Sequence, residues 1–475
     1  MRSLSSSLVW ALLIAGPAGP VLAQAERPNI VVVLADDLGW GDLGCYGQKR
    51  YRTPHLDRLA AGGVRFSDFY APYPYCAPSR ASLLTGRYPF RTGLVQNPVP
   101  AGDPLVKDTD RFDRLELPTS ELTLARLLHD AGYVTCAIGK WHLGHRPEFW
   151  PTRHGFQRYF GIPYSNDMKP VRLYRDAEMI EYPVVQATLT QRYTMLARQF
   201  IRDNKDRPFF LYLAHAMPHK PLACSETFYH RTGAGLYADV LTELDWSVGQ
   251  IVEELQRTGV DRRTLLFFTS DNGPWYGGST GGLRGMKGNT WEGGIRVPLL
   301  VSMPGTVPPG RVSAAPAMLP DLFTTILLRA GVPLPKDRTL DGLDLWPAIT
   351  DNKPLPERVL YFFRQEQLMA LRSGRWKLHL GPPGGPRKPL PPGAAYKDPR
   401  GPDGVTILAP YEQAHPSQFP GLLTGDAVTD IGLFDLENDP AEQHNLAERH
   451  PQLVQTLLRH AAAMRADMEA VKSKR

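Results

Sequence analysis

At 475 residues, with 42% apolar and 21% charged residues, the chain has the composition of an ordinary globular protein, long enough for more than one domain and wrong for intrinsic disorder. Four cysteines are too few for a disulfide-built scaffold. The net charge of +6 would suit an anionic substrate, while the lack of any Lys/Arg run or RNA-type aromatic motif argues against nucleic acid as a partner.

Residues 1–23 read as a secretory signal peptide, with Arg2 as the positive start, an apolar run over 8–15 and a small-residue cleavage site at Val21-Leu22-Ala23. Gly16, Pro17 and Pro20 break that run well short of the ~20 residues a membrane span needs. No other stretch is apolar for long enough, so the expectation is a periplasmic or secreted protein without stable membrane insertion. The absence of any N-x-[ST] acceptor fits a bacterial periplasmic protein better than a lysosomal one.

Residues 29–34 (NIVVVL) form a continuous apolar, β-branched run, the pattern of a buried strand in a parallel or mixed sheet. The run leads into Asp36 and Asp37. Adjacent carboxylates at a strand end need solvent or a cation, and that edge of an open α/β sheet is where ligands bind; the plainer use of Asp there is a turn or helix N-cap. Residues 53–60 predict a short helix with Thr53 before Pro54 and a stop at Gly62, and 64–70 a strand.

Cys76 and Pro78 then open an Ala/Ser/Leu helical pattern. Proline is favoured in a first helical turn, where its missing N–H has no partner to lose, so Cys76 is expected at a helix N-terminus. The helix dipole and Arg80 one turn on would favour a thiolate or another developing negative charge there. A small buried cysteine at a loop–helix junction is the bland alternative.

A helix over 121–131 and a strand over 133–138 follow, the strand running into Lys140 and His142, which would point the same way if it persists. A helix over 188–204 precedes the apolar strand 208–214, which leads to His215 and His219. A long amphipathic helix over 237–257 precedes the strand 263–269, which ends in Ser270, Asp271 and Asn272. A Gly-rich segment over 277–294 contains Lys287, and 297–302 is a further strand. Strand, functional loop and helix alternate, the grammar of an α/β domain. Beyond a composition shift near 333–356, antiparallel strands at 359–363 and 368–380, a Pro/Gly-rich segment at 381–410, a strand and turn at 433–440 and a helix over 450–471 suggest a second, smaller α+β domain. The expected division is 24–355 for the catalytic domain and 356–475 for the C-terminal one.

Asp36, Asp37, Asp271 and Asn272 are hard oxygen donors, suited to Ca²⁺ or Mg²⁺ and not to zinc. His142 and His219 are candidate proton carriers, with His215 a local competitor for His219. Each lysine or arginine alone is more often a solvated surface charge.

C-A-P-S-R-A-S-L-L-T-G-R at 76–87 resembles the sulfatase signature C-x-P-S-R-x-x-L-L-T-G, and the chain is identified as a member of the formylglycine-dependent (type I) sulfatase family, similar to its arylsulfatase A-like members. G-I-P-Y-S at 161–165, G-M-K-G-N-T-W-E-G-G-I-R-V-P at 285–298 and D-G-L-D-L at 341–345 extend the likeness. The resemblance implies a large mixed β-sheet sandwiched by helices, as in alkaline phosphatases and sulfatases. It implies that a maturation enzyme oxidises Cys76 to formylglycine (3-oxoalanine), whose hydrate is the nucleophile. It places a divalent cation, Ca²⁺ in most relatives with Mg²⁺ allowed, on Asp36, Asp37, Asp271, Asn272 and residue 76. Arg80, Lys140 and Lys287 would surround it with positive charge. His142 would take the proton of the second hydroxyl, and His219 with Lys287 would protonate the departing alcohol. Lys140, His219, Lys287 and Ser165 would contact the sulfate. The activity implied is hydrolysis of a sulfated sugar or aryl sulfate. A formylglycine-dependent phosphonate or phosphate ester hydrolase and a non-catalytic sulfated-glycan-binding protein are the alternatives. The chain lacks most cysteines and all glycan sites of the animal lysosomal members, and 381–410 has no obvious counterpart there, so their substrate preference is not carried over.

Overall fold

The computed structural model describes residues 27–99, 115–275, 277–384 and 424–473. The expected signal peptide and nearly all of the Pro/Gly-rich segment lie outside them.

Sixteen strands and seven longer helices organise these residues. The strands are β1 (Asn29–Ala35), β2 (Val64–Phe66), β3 (Phe69–Tyr70), β4 (Val134–Lys140), β5 (Arg158–Ile162), β6 (Leu173–Arg175), β7 (Glu178–Glu181), β8 (Phe209–Ala214), β9 (Thr264–Ser270), β10 (Leu299–Ser302), β11 (Arg311–Ser313), β12 (Ala317–Met318), β13 (Val359–Arg364), β14 (Gln367–Ser373), β15 (Trp376–His379) and β16 (Gly432–Asp435). The helices are α1 (Pro54–Ala61), α2 (Cys76–Thr85), α3 (Leu124–Asp130), α4 (Leu189–Asp203), α5 (Leu236–Arg257), α6 (Leu319–Arg329) and α7 (Pro451–Lys472).

Ten strands form one mixed sheet in the order β11-β2-β10-β9-β1-β8-β4-β5-β6-β7. Its centre, β9-β1-β8-β4-β5, is parallel. Both faces are covered, which is why β1 reads as one unbroken apolar run. Val31 and Val33 enter a core shared with α1, α4 and α5. Ile30, Val32 and Leu34 enter the opposite core with α2, α3 and α6. The parallel registers Ala35↔Ser270, Leu34↔Ala214 and Gly139↔Ala214 bring four strand ends to one edge. Gly139 allows the close pairing, because a Cβ there, at φ +111°, would meet the Ala214 carbonyl at 1.8 Å.

A second, antiparallel sheet runs β13-β14-β15-β16 and packs with α7 against Tyr70, Tyr73, Tyr88 and Phe90. Among the described residues no helix is long and apolar enough to cross a membrane. All four cysteines are free.

Some boundaries differ from expectation. The helix expected over 121–131 starts at Leu124, because the Thr123 hydroxyl accepts from the Arg126 N–H and caps it there. The strand expected over 64–70 is broken at Ser67 and Asp68, where Asp68 turns to the guanidinium groups of Arg296 and Arg372. The run over 368–380 is a hairpin, turned at Gly374 (φ +57°).

The two sheets are joined by a buried polar cluster. Lys377 Nζ lies 2.9 Å from Glu292 and 3.1 Å from Glu442; Glu442 also accepts from His379 Nε2 at 2.6 Å and from the Glu292 N–H at 2.6 Å. Burial pushes the Glu442 carboxyl up, but Lys377 and His379 outweigh it and hold the group at about 2. A depressed carboxyl stabilises the fold above its unfolded value and loses that contribution as pH falls toward the folded one. Glu442→Gln is therefore expected to lower stability by about 1.5–3 kcal/mol at pH 7 and by progressively less below about pH 4.3. Urea midpoints at pH 7 and pH 3 check this, and an equal loss at both would contradict it.

Candidate active site

The polar residues after four strands of the central sheet meet at its edge. Asp36 and Asp37 follow β1, Lys140 ends β4, His215 and His219 follow β8, and Asp271 and Asn272 follow β9. The Asp36 N–H donates to the Met217 carbonyl at 3.1 Å and the Asp37 N–H to Asp271 Oδ1 at 3.1 Å, which ties the loops together. Asp37 (φ +63°) and His142 (φ +60°) both hold the left-handed backbone conformation, which is uncommon outside glycine and best tolerated by Asn, Asp and His. β4 thus ends at Lys140 and does not persist to His142 as the simple alternation supposed.

Helix α2 delivers Cys76 as its first residue. The residue before the helix, Tyr75, gives it no side-chain cap; Asn97 Oδ1 accepts the Ala77 N–H at 3.0 Å instead. Cys76 Sγ lies 3.4 Å from Asp36 Oδ1, 3.8 Å from Asp37 Oδ1 and 3.4 Å from Lys287 Nζ. It marks where the oxygens of a modified residue 76 would begin.

Three cations are interleaved with three carboxylates. Lys140 Nζ sits 2.5 Å from Asp36 Oδ2 and donates to Ser165 Oγ at 3.0 Å. Arg80 donates through Nε to Asp271 Oδ2 at 2.9 Å and through Nη1 to the Lys140 carbonyl at 2.8 Å, while Nη2 makes ion-pair contacts with Asp271 Oδ2 at 2.9 Å and Asp36 Oδ1 at 3.6 Å. Lys287 Nζ is 2.7 Å from each oxygen of Asp37. Asn272 Nδ2 donates to Asp37 Oδ1 at 2.7 Å, and His219 Nε2 lies 3.7 Å from Asp37 Oδ2. All of these groups are buried, so the adjacent carboxylates are met by side-chain cations and not by solvent.

Burial governs the protonation. It pushes the Cys76 thiol well above its ordinary value, with Asp36 and Asp271 adding to it and Lys140 and Lys287 opposing. Burial thus works against the expected thiolate by more than Lys140 and Lys287 offset. Burial raises the Asp271 carboxyl, helped by Asp36 and opposed by Arg80 and Lys140. Lys287 loses charge stability to burial, yet Asp37, Cys76 and Asp36 hold it above the usual lysine range. Burial, then Lys140 and Arg80, pull His142 well below the ordinary histidine range and keep it neutral; burial, then Lys287 and Lys140, pull His219 down as well, while the Lys220 carbonyl opposes them.

His142 Nε2 faces the Pro98 carbonyl at 3.3 Å, and its Nδ1 is buried without a partner. A nitrogen whose partner ring atom is held as a donor is a base in waiting. His215, the competitor, is in the core beside Ser247 at 3.2 Å, and burial pulls its imidazole down to about 3. The structure thus brings together Asp36, Asp37, Cys76, Arg80, Lys140, His142, Ser165, His219, Asp271, Asn272 and Lys287, and leaves His215 out. Sequence reasoning missed Asn97, Asn166 and Gln186. Asn166 directly follows Ser165, the only signal available; Gln186 carried none.

Ligand atoms of Asp36, Asp37, Cys76 and His219 all lie within 4.8 Å of one another. Asn272 Oδ1 is buried and has no hydrogen-bond partner, although its amide nitrogen has two. An orphaned amide oxygen among carboxylates is what a hard divalent cation uses, so the donor set fits Ca²⁺ or Mg²⁺.

The Sulfatase family model matches residues 28–332. The N-acetylgalactosamine-6-sulfatase of Canis lupus familiaris is 42% identical over 405 residues, covering 80% of this chain and 77% of that protein. Arylsulfatase A of Homo sapiens is 37% identical over 501 residues, covering 97% and 91%. Among solved structures, the PsFucS1 sulfatase from Pseudoalteromonas sp. superposes with a TM-score of 0.73 at 28% identity, over 93% of this chain and 91% of that one.

Proposed function

The chain belongs to the sulfatase family and is a sulfuric-ester hydrolase, and we propose that it cleaves a sulfated carbohydrate or an aryl sulfate through a formylglycine made from Cys76. The observation that carries this reading is the seat of Cys76: first residue of a buried helix, within 3.4–3.8 Å of Asp36, Asp37 and Lys287. The relatives named for sulfated amino sugars and aryl sulfates support the substrate class.

Formylglycine would supply a hydrate oxygen as nucleophile and return to the aldehyde after sulfate leaves. A divalent cation, held by Asp36, Asp37, Asp271, Asn272 and residue 76, would lower the repulsion between that oxygen and an anionic ester. The chain's own groups do the rest. Lys140, His219 and Lys287 bind and orient the sulfate oxygens, with Ser165 beside Lys140 as a further contact, and Arg80 adds fixed positive charge behind Asp271 and Asp36. Neutral His142 takes a proton through Nδ1. His219, protonated on both ring nitrogens when it acts, delivers its Nε2 proton to the departing alcohol, with Lys287 beside it. Three fixed cations balance three carboxylates, so the ion would supply the surplus positive charge that faces the anionic ester. Residues 24–355 form the catalytic unit in this reading and 356–475 the second domain. Export behind residues 1–23 and a maturation enzyme complete it.

A peptide mass on protein made in a host with the maturation enzyme tests the nucleophile. The tryptic fragment 66–80 should carry an aldehyde at position 76, and a plain thiol would shift the reading to an unmodified binding protein. Turnover of 4-nitrophenyl sulfate well above that of a phenylphosphonate ester separates the sulfatase from the phosphonate alternative. His219→Ala should reduce turnover of sulfates with poor leaving groups by about 10²–10⁴-fold and that of 4-nitrophenyl sulfate far less, since nitrophenolate departs without a proton. Equal losses would remove the acid role.

A further inference from the structure

The imidazole of His219 is held from behind by groups with no place in the chemistry above. Its Nδ1 lies 2.9 Å from Asn166 Oδ1 and 2.6 Å from the Lys220 carbonyl. Both are acceptors, so one proton is fixed on Nδ1, and the second proton of the imidazolium, the one the acid gives up, belongs to Nε2, which is left toward Asp37 Oδ2 at 3.7 Å. Ser165 Oγ stands at 3.5 Å from either ring nitrogen.

The orientation of the Asn166 amide follows from its surroundings. Its Nδ2 faces three acceptors: Gln186 Oε1 at 3.1 Å, the His219 carbonyl at 3.3 Å and the Pro221 carbonyl at 3.1 Å. A flipped amide would set its oxygen against three oxygens, so Oδ1 must face the histidine. Gln186 is fixed in turn, because its Nε2 donates to the Asn166 carbonyl at 2.7 Å. Asn166 and Gln186 are fully buried, at 0% and 1% exposure. One side chain therefore grips the 218–221 loop at the imidazole and at two backbone carbonyls.

We propose that Asn166, locked by Gln186, is a positioning residue for His219, setting the ring plane and keeping Nε2 aimed at the leaving group. The proposal rests on His219 acting as the acid. Outer partners of this kind typically carry about 10–100-fold in activity.

Two aryl sulfates of nearly equal size test it on the matured, metal-loaded enzyme. Phenyl sulfate releases a phenol with a pKa of about 10 and needs a proton, whereas 4-nitrophenyl sulfate does not. Asn166→Ala is expected to lower kcat/KM for phenyl sulfate about 10–100-fold and for 4-nitrophenyl sulfate less than about threefold. In a His219→Ala background the same substitution should cost phenyl sulfate nothing further, as expected when one residue acts through the other. Equal losses on both substrates, or additive losses in the double variant, would overturn the proposal. If Asn166→Ala does not fold, Gln186→Ala, which frees the amide without touching the loop, carries the same comparison. His219→Ala alone separates the two ideas: no leaving-group split there defeats the acid reading, while a split there without one in Asn166→Ala defeats only the positioning.

Discussion

Cys76→Ser is expected to give a folded protein whose turnover of 4-nitrophenyl sulfate falls by about 10⁴-fold or more, the scale on which losing a covalent nucleophile is felt. Fold retention follows from the site. A hydroxyl is no larger than the thiol, and the position lies among Asp36, Asp37 and Lys287, all able to pair with it. The loss follows from the chemistry. A serine oxygen can accept a sulfuryl group but has no second hydroxyl from which His142 could take a proton to expel it. Incubation with substrate should leave up to one sulfate per chain on residue 76, which peptide mass spectrometry would detect. Near-normal turnover would mean that the nucleophile lies elsewhere. Loss of turnover with no sulfate retained would mean that serine cannot attack at all, and that the matured residue is needed for the first step as well as the second.

Much of the frame for this chemistry could be read from the chain. β1, β8 and β9 announce themselves as apolar runs because both faces of the central sheet are covered, and each ends in polar residues that register to one edge. Asp36, Asp37, Asp271 and Asn272 therefore stood out from residue type and position alone, whereas Cys76 needed the signature. What failed was whatever depends on distant partners. α6 is buried along 319–327, polar Asp321, Thr324 and Thr325 included, because it packs against α2 and α3, and that burial depends on partners far away in the chain. β6 and the edge strand β7 are short, with little apolar pattern. The thiolate expected at Cys76 rests on local helix logic, and the burial that opposes it depends on the packing of distant elements around α2. Asn166 sits beside a recognised motif, but its work depends on Gln186 and His219, 20 and 53 residues away.

Arg80 should carry the largest combined effect on stability and rate. It is completely buried, pairs with Asp271, nears Asp36 and donates to the Lys140 carbonyl. Arg80→Ala would leave two carboxylates short of a partner and a carbonyl without a donor, and removing one member of a buried ion pair costs about 3–5 kcal/mol. The lost positive charge near the sulfate should lower kcat/KM by about 10²–10³-fold as well. Arg80→Lys is expected to regain part of the stability and little of the rate, because one ammonium cannot reach Asp271 and the Lys140 carbonyl with the spread of a planar fork. Saturating Ca²⁺ should raise the urea midpoint of Arg80→Ala more than that of wild type, since an ion on Asp36 and Asp271 takes over the charge that the guanidinium neutralised. An equal rise in both would mean that the ion and Arg80 act on separate carboxylates, and a wild-type midpoint for Arg80→Ala without added ion would mean that the buried carboxylates hold their own protons instead.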